Sequence, residues 1–117
     1  MILPKLQRGD LVLATIPFTD LAASKLRPAL VISEGVIGTD VVLIALSSVV
    51  RGATAPYDVI IDERHADFPA TGLLRTSVVR THHLVTVEQK MLARRLGRLP
   101  PFWQAQVDAQ LITLLGL

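Results

Sequence analysis

Two short apolar runs separated by a polar stretch constrain the fold of this chain most strongly. Leu11–Pro17 and Ala29–Ser33 have the length and the Val, Ile and Leu content of β-strands, and Gly9-Asp10 before the first run is typical of a turn. The stretch between the runs shows no apolar periodicity and ends in Lys25–Pro28. We therefore predict two packed strands joined by a polar loop.

The polar loop is a candidate binding site, because binding residues are often found on loops held between packed strands. Pro28 restricts Arg27 to extended geometry, so the guanidinium is presented where the second strand begins. The same residues could instead form the polar surface of an ordinary hairpin. The candidate binding residues of the loop are Thr19, Ser24, Lys25 and Arg27.

Further strand-length apolar runs follow, separated by turn residues. The predicted strands are Val41–Leu46, Tyr57–Ile61, Leu73–Arg80, His83–Val87 and Arg94–Leu99. From Pro101 apolar residues recur at helical intervals, and proline suits a first helical turn, so we predict a helix over Pro101–Leu115. Many short strands followed by one helix indicate a mainly β fold, a small barrel of strongly bent strands with a C-terminal helix.

Composition limits the class of protein. The 117 residues are enough for one domain, residues 1–117, and with five aromatic residues the core must be aliphatic. No apolar run is long enough to span a membrane, and the N-terminus lacks the hydrophobic region of a signal peptide. The absence of cysteine excludes disulfides and fits a cytoplasmic protein. A net charge of +2 permits an anionic partner without requiring one.

Three groups of polar residues stand at the ends of apolar strands: Arg27, Ser47-Ser48 and the stretch Arg80–His83. If their strands are neighbours, the groups converge at one rim of the sheet. Guanidinium groups present forked donors to phosphate oxygens, serine adds a hydrogen bond, and histidine titrates near neutral pH. Together these residue types are suited to holding a phosphodiester.

Each group also has a simpler interpretation. Arg27 and Arg80 could form surface ion pairs, and the two serines could merely end a strand. His82 and His83 are adjacent, so on a regular strand they point to opposite faces; we expect at most one of them to serve a site and do not expect a metal pair. Zinc, P-loop and GxSxG signatures are absent, and no cofactor is predicted. Trp103 is predicted to lie in the core.

The order of these segments resembles the MazF/PemK family of toxins of type II toxin-antitoxin systems. The resemblance rests on Gly9-Asp10, on the strand ending in Pro17–Asp20, and on Lys25–Ser33. It continues through the later stretches Ser77–Arg80, Leu84–Val87 and Arg95–Leu99. It covers nearly the whole chain.

The resemblance implies an SH3-like barrel with a C-terminal helix, a homodimer, and endoribonuclease activity. Toxins of this family cut single-stranded RNA, commonly messenger RNA, at selected sequences without a metal: the 2′-hydroxyl attacks the adjacent phosphate. A small antitoxin blocks the RNA groove, and DNA is bound only through the antitoxin complex. The family's catalytic positions fall on Arg27, Ser47, Arg80 and His82.

Two of these positions depart from the family pattern, which usually has threonine at Ser47 and, in the PemK branch, aspartate at His82. We hypothesise that His82 acts as general base or acid, because arginine stays protonated. The residues expected to bind RNA are Thr19, Ser24, Lys25, Ser48 and Arg51. The alternative is a catalytically silent relative that binds nucleic acid or a protein.

Overall fold

The structure, a computed structural model, describes residues 5–17, 24–50 and 56–117. Within these ranges the chain forms six strands and one α-helix, with a 3₁₀ turn before β5 and another before β6. The elements are β1 (Asp10–Pro17), β2 (Ser24–Val31), β3 (Asp40–Ser47), β4 (Asp58–Ile61), β5 (Ser77–Glu88), β6 (Leu92–Arg98) and α1 (Pro101–Leu115). The predicted mainly β fold with a C-terminal helix is confirmed.

The strands form one antiparallel sheet in the order β4-β5-β3-β2-β1-β6. Register shifts in the β1–β6 and β3–β5 pairings mark bulges, which bend and twist a sheet. Among the described strands, β4 pairs only with β5 and β6 only with β1, so the two edges do not meet. The sheet is therefore strongly bent but open, and the predicted barrel is not closed.

The second strand begins earlier than its apolar pattern predicted. The structure places Lys25 to Pro28 in β2, paired with β1, and not in a loop: Ala14 lies opposite Arg27, and Leu13 opposite Pro28. The missing N–H of Pro28 breaks no bond to β3, because the β2–β3 pairing starts only at Ala29. Pairing with the neighbouring strand overrides the polar character of this segment.

The C-terminal helix has the predicted bounds, and it packs through Trp103, Val107 and Leu111. Trp103 lies in the core as predicted, with 2% of its surface exposed. Phe102, beside Trp103 in the first turn of the helix, is more than half exposed and stacks on His65. None of the helices within the described residues combines the length and apolarity that a membrane crossing requires.

Both faces of the central strands are buried. On one face, Leu30 and Leu46 belong to the cluster that packs against α1. On the other face, Ala29, Val31 and Leu43 belong to a second aliphatic cluster. Successive residues of a strand point to opposite faces, so residues in phase with Ala29 lie on the face away from the helix. The alternation of side chains therefore determines on which face of the sheet the polar residues of β2 and β3 lie.

A buried carboxylate joins the first strand along the chain to the last. Asp10, with 3% of its side chain exposed, accepts hydrogen bonds from Arg95 Nε at 3.2 Å and Arg98 Nη1 at 3.0 Å. Its second oxygen accepts the backbone N–H of Gln7 at 2.8 Å. The start of β1 is thereby held to the edge strand β6.

We predict that Asp10→Ala lowers the free energy of unfolding by about 1–3 kcal/mol, because three hydrogen bonds are lost and two guanidinium groups lose their anion. Chemical denaturation monitored by Trp103 fluorescence measures the change. Asp62→Ala is the matched control: its carboxylate pairs with Arg64 at the surface, and such pairs add little stability. Equal stability of the two variants would show that the hydrogen bonds of Asp10 add no more to the free energy of unfolding than a surface ion pair does.

Candidate functional site

The site begins where β2 and β3 separate. Their pairing ends at Ala29 and Ala45, and two residues further along the strands stand Arg27 and Ser47. Both are in phase with those alanines, so their side chains lie on the face of the sheet opposite α1. Without backbone hydrogen bonds to close the gap, two cavities open here, of about 290 and 660 Å³, and Arg27 and Ser47 line both.

A bulge in β5 supplies the opposite wall of the larger cavity. Val79 pairs with Leu46 and Leu84 with Ile44, so the four residues from position 80 to 83 stand opposite Ala45 alone. The extra length breaks the regular alternation of side chains. As a result Arg80, His82 and His83 all line the larger cavity.

The expectation that His82 and His83 point to opposite faces was therefore wrong. Their ring centroids are 4.2 Å apart, in an edge-on arrangement, and the ring of Tyr57 lies 6.4 Å from that of His82. The two-residue period holds only for regular strands, and this pair sits in the bulge. Sequence analysis had assigned a role to His82 and not to His83.

All four residues predicted to be catalytic line this one cavity: Arg27, Ser47, Arg80 and His82. Its apolar walls come from Ile16 and Pro17 at the end of β1 and from Leu84 and Val85 of β5. No acidic residue is among the described residues that line it. The cavity therefore combines two guanidinium groups with two imidazoles and one hydroxyl.

The Ser47 hydroxyl is oriented by the backbone. Its Oγ accepts the N–H of Val49 at 3.1 Å, which leaves the hydroxyl proton available to an acceptor in either cavity. Arg80 has a buried Nε without a hydrogen-bond partner among the described residues. Both residues line the larger cavity and can donate a hydrogen bond there.

The environment favours the neutral form of His83. Burial lowers its pKa below the ordinary value of 6.5, and the nearby charges of His82 and Arg80 lower it further, while the negative charge of Asp58 raises it. A neutral imidazole at physiological pH has one nitrogen that can accept a proton. His83 is thus suited to act as a base.

The residues expected to bind RNA are distributed more widely. Ser48 is exposed and lines the smaller cavity, and Lys25 is exposed on β2. Ser24 begins β2, but its side chain, like the whole of Thr19 and Arg51, lies outside the described residues. The smaller cavity also contains Arg75, which sequence analysis missed; a basic residue just before a strand was the available signal.

The donor set is suited to an anion. Arginine binds phosphate oxygens through paired N–H donors, and two arginines on facing strands can contact one phosphodiester from both sides. Among residues 5–17, 24–50 and 56–117, no three His, Cys, Asp or Glu side chains are grouped as a metal site would require. The histidine pair therefore has no third ligand in that part of the chain.

Comparisons with known structures show the same fold. The chain resembles an endoribonuclease in complex with its cognate antitoxin from a Mycobacterial species, with TM-score 0.72, 21% identity and 96% of each chain covered. It also resembles a chain of a MazE–MazF crystal structure from Deinococcus radiodurans, with TM-score 0.72 and 24% identity over 97% of this chain and 99% of that one. It resembles the Mycobacterium tuberculosis toxin MazF-mt6 as well, with TM-score 0.71 and 22% identity over 92% of this chain and 97% of that one.

No sequence among the curated proteins matches significantly. The sequence model that describes the PemK-like, MazF-like toxins of type II toxin-antitoxin systems matches residues 7–115, nearly the whole chain. The chain therefore belongs to the PemK-like, MazF-like toxin family.

Proposed function

We propose that this chain is an endoribonuclease toxin that cuts single-stranded RNA, commonly messenger RNA, at selected sequences and without a metal. The observation that carries the proposal is the arrangement of Arg27, Ser47, Arg80 and two imidazoles around one cavity. Family membership and the endoribonuclease named among the similar structures support it. The proposed catalytic residues are Arg27, Ser47, Arg80 and His82, and we add His83 because it lines the same cavity.

In the proposed reaction the RNA 2′-oxygen attacks the adjacent phosphorus. The bond from the 2′-oxygen to phosphorus forms, and the bond from phosphorus to the 5′-oxygen of the next nucleotide breaks. Neutral His83 accepts the 2′-hydroxyl proton, and His82 gives a proton to the leaving 5′-oxygen. The products are a 2′,3′-cyclic phosphate and a 5′-hydroxyl end.

The remaining groups stabilise charge. The five-coordinate phosphorus intermediate carries extra negative charge on its oxygens, and Arg27 and Arg80 provide donors on opposite sides of it. The Ser47 hydroxyl donates one further hydrogen bond. Because the guanidinium groups remain protonated, the proton transfers fall to the imidazoles.

The proposal extends to partners. Residues 1–117 act as one domain and form a homodimer in the cytoplasm, a cognate antitoxin covers the RNA site, and DNA is contacted only through the antitoxin complex. Structures of antitoxin-bound relatives support the antitoxin interaction. The RNA strand on either side of the cut contacts Ser48 and Lys25, and Thr19, Ser24 and Arg51 are proposed as further RNA-binding residues.

We predict that the purified protein cleaves a mixed-sequence RNA in EDTA and that Arg27→Ala slows cleavage by about 10²–10³-fold, the range for removal of one donor to a transition-state oxyanion. Gel mapping of new 5′-hydroxyl ends measures the rate and the selected sequence. Arg64→Ala is the control, since Arg64 is exposed and pairs with Asp62. Retention of RNA without new ends would instead identify a binding module.

We predict that the cleavage rate falls on acidification with a midpoint below pH 6.5, because His83 must be neutral to accept a proton and its pKa is lowered. His83→Gln removes this acidic limb of the pH–rate profile along with most of the activity. Single-turnover rates between pH 4.5 and 8 test the prediction. An acidic limb that persists in His83→Gln would exclude His83 as the base.

We predict that His82→Ala slows cleavage by about 10²-fold or more, the usual contribution of a positioned acid or base. An RNA analogue with a better leaving group than the 5′-alkoxide restores part of the rate, because protonation of the leaving oxygen is then less important. Turnover equal to that of the unmodified protein would remove His82 from the mechanism.

A further inference from the structure

Asp58 is a buried carboxylate that the structure leaves without hydrogen bonds. It is the first residue of β4, and both of its side-chain oxygens are buried and have no hydrogen-bond partner among the described residues. A buried carboxylate without donors is unfavourable, because it has lost water without gaining a replacement. Such a group calls for an explanation in terms of function.

Asp58 lies beside the proposed cleavage site. Its cross-strand partner on β5 is Arg80, and the next pair, Val59 with Val79, points into the helix-side core. Asp58 and Arg80 therefore share the face away from α1, with their Cβ atoms about 4.5–5.5 Å apart as in any directly opposed pair. Arg80 Nε is the buried donor without a partner, so an unmatched donor and two unmatched acceptors are neighbours.

The other groups around Asp58 are basic or neutral. His83 is close enough for the charge of Asp58 to raise its pKa, against the opposite effects of burial, His82 and Arg80. From the turn before β4, Tyr57 contacts the His82 ring, and from β2, Arg27 lines the same cavity. Asp58 is thus the one acid among the described charged groups that act on His83.

We propose that Asp58 is a positioning residue of the cleavage site: its carboxylate accepts hydrogen bonds from Arg80 Nε and from one imidazole N–H of His83. The inference rests on the proposed function. These bonds are open in the RNA-free structure and close when a phosphate draws the guanidinium and the ring into place, as catalytic hydrogen bonds often do. The second nitrogen of His83 then faces the 2′-hydroxyl as the acceptor.

The test combines a titration with kinetics. The pKa of His83 is measured by NMR from its ring proton in the RNA-free protein, and single-turnover cleavage is measured from pH 4.5 to 8. Asp58→Asn removes the charge with little change in volume. We expect the His83 pKa to fall, the acidic limb of the pH–rate profile to move in the same direction, and the plateau rate to drop by up to about 10²-fold, the usual cost of misplaced reacting groups.

Two further variants separate charge from packing. Asp58→Glu keeps the carboxylate and should keep the His83 pKa near that of the unmodified protein, even if the longer side chain lowers the rate or the stability. Asp62→Asn makes the same chemical change just after the other end of β4, where the carboxylate pairs with Arg64. It should leave both the titration of His83 and the cleavage rate unchanged.

The outcomes are distinct. An unchanged His83 pKa and pH–rate profile in Asp58→Asn, with cleavage still dependent on Arg27, would overturn the role of Asp58 and leave the proposed function standing. An unmodified protein that does not cleave RNA would overturn the proposed function. In that case a shift of the His83 pKa in Asp58→Asn, together with weaker RNA binding, would still support Asp58 as the residue that positions this cluster.

Discussion

The site depends on one structural feature, the separation of β2 from β3. Up to Ala29 and Ala45 the two strands are joined by backbone hydrogen bonds, and beyond them Arg27 and Ser47 border open cavities. On the other side, the bulge of β5 moves Arg80 and both histidines toward the same space. In a regular sheet a continuous ladder would have closed this opening, and the alternation of side chains would have placed His82 and His83 on opposite faces.

The rest of the fold keeps this opening rigid. The central strands are buried on both faces, by α1 on one side and by the second aliphatic cluster on the other, so their positions are fixed by packing. Asp10 fastens the start of β1 to Arg95 and Arg98 of the edge strand. A site built on such a frame holds its donors in place before a ligand arrives, which is how a protein stabilises developing charge efficiently.

Basic side chains are grouped at the larger cavity of this protein. The chain carries a net charge of only +2, yet the larger cavity collects two arginines and two histidines, with no acid among its described lining residues. Three buried polar atoms without partners, on Asp58 and Arg80, lie beside it. Unsatisfied groups reduce stability, and proteins tolerate them mainly where a ligand completes the hydrogen bonding. This concentration of unmatched donors and acceptors is consistent with a site that becomes complete only with a bound phosphate.

The sequence by itself determined the mainly β class, the bounds of the C-terminal helix and the polar residues at the ends of apolar runs, because these depend on local composition and periodicity. Only the tertiary structure decided that β2 begins at Ser24, that the sheet stays open, and that His82 and His83 share one cavity. Strand ends and bulges are set by pairing between segments distant in the chain, such as β3 with β5. The alternation of apolar and polar residues along one strand does not show where that pairing shifts. Asp58 was missed for the same reason: its significance lies in the residue opposite it, which the sequence does not reveal.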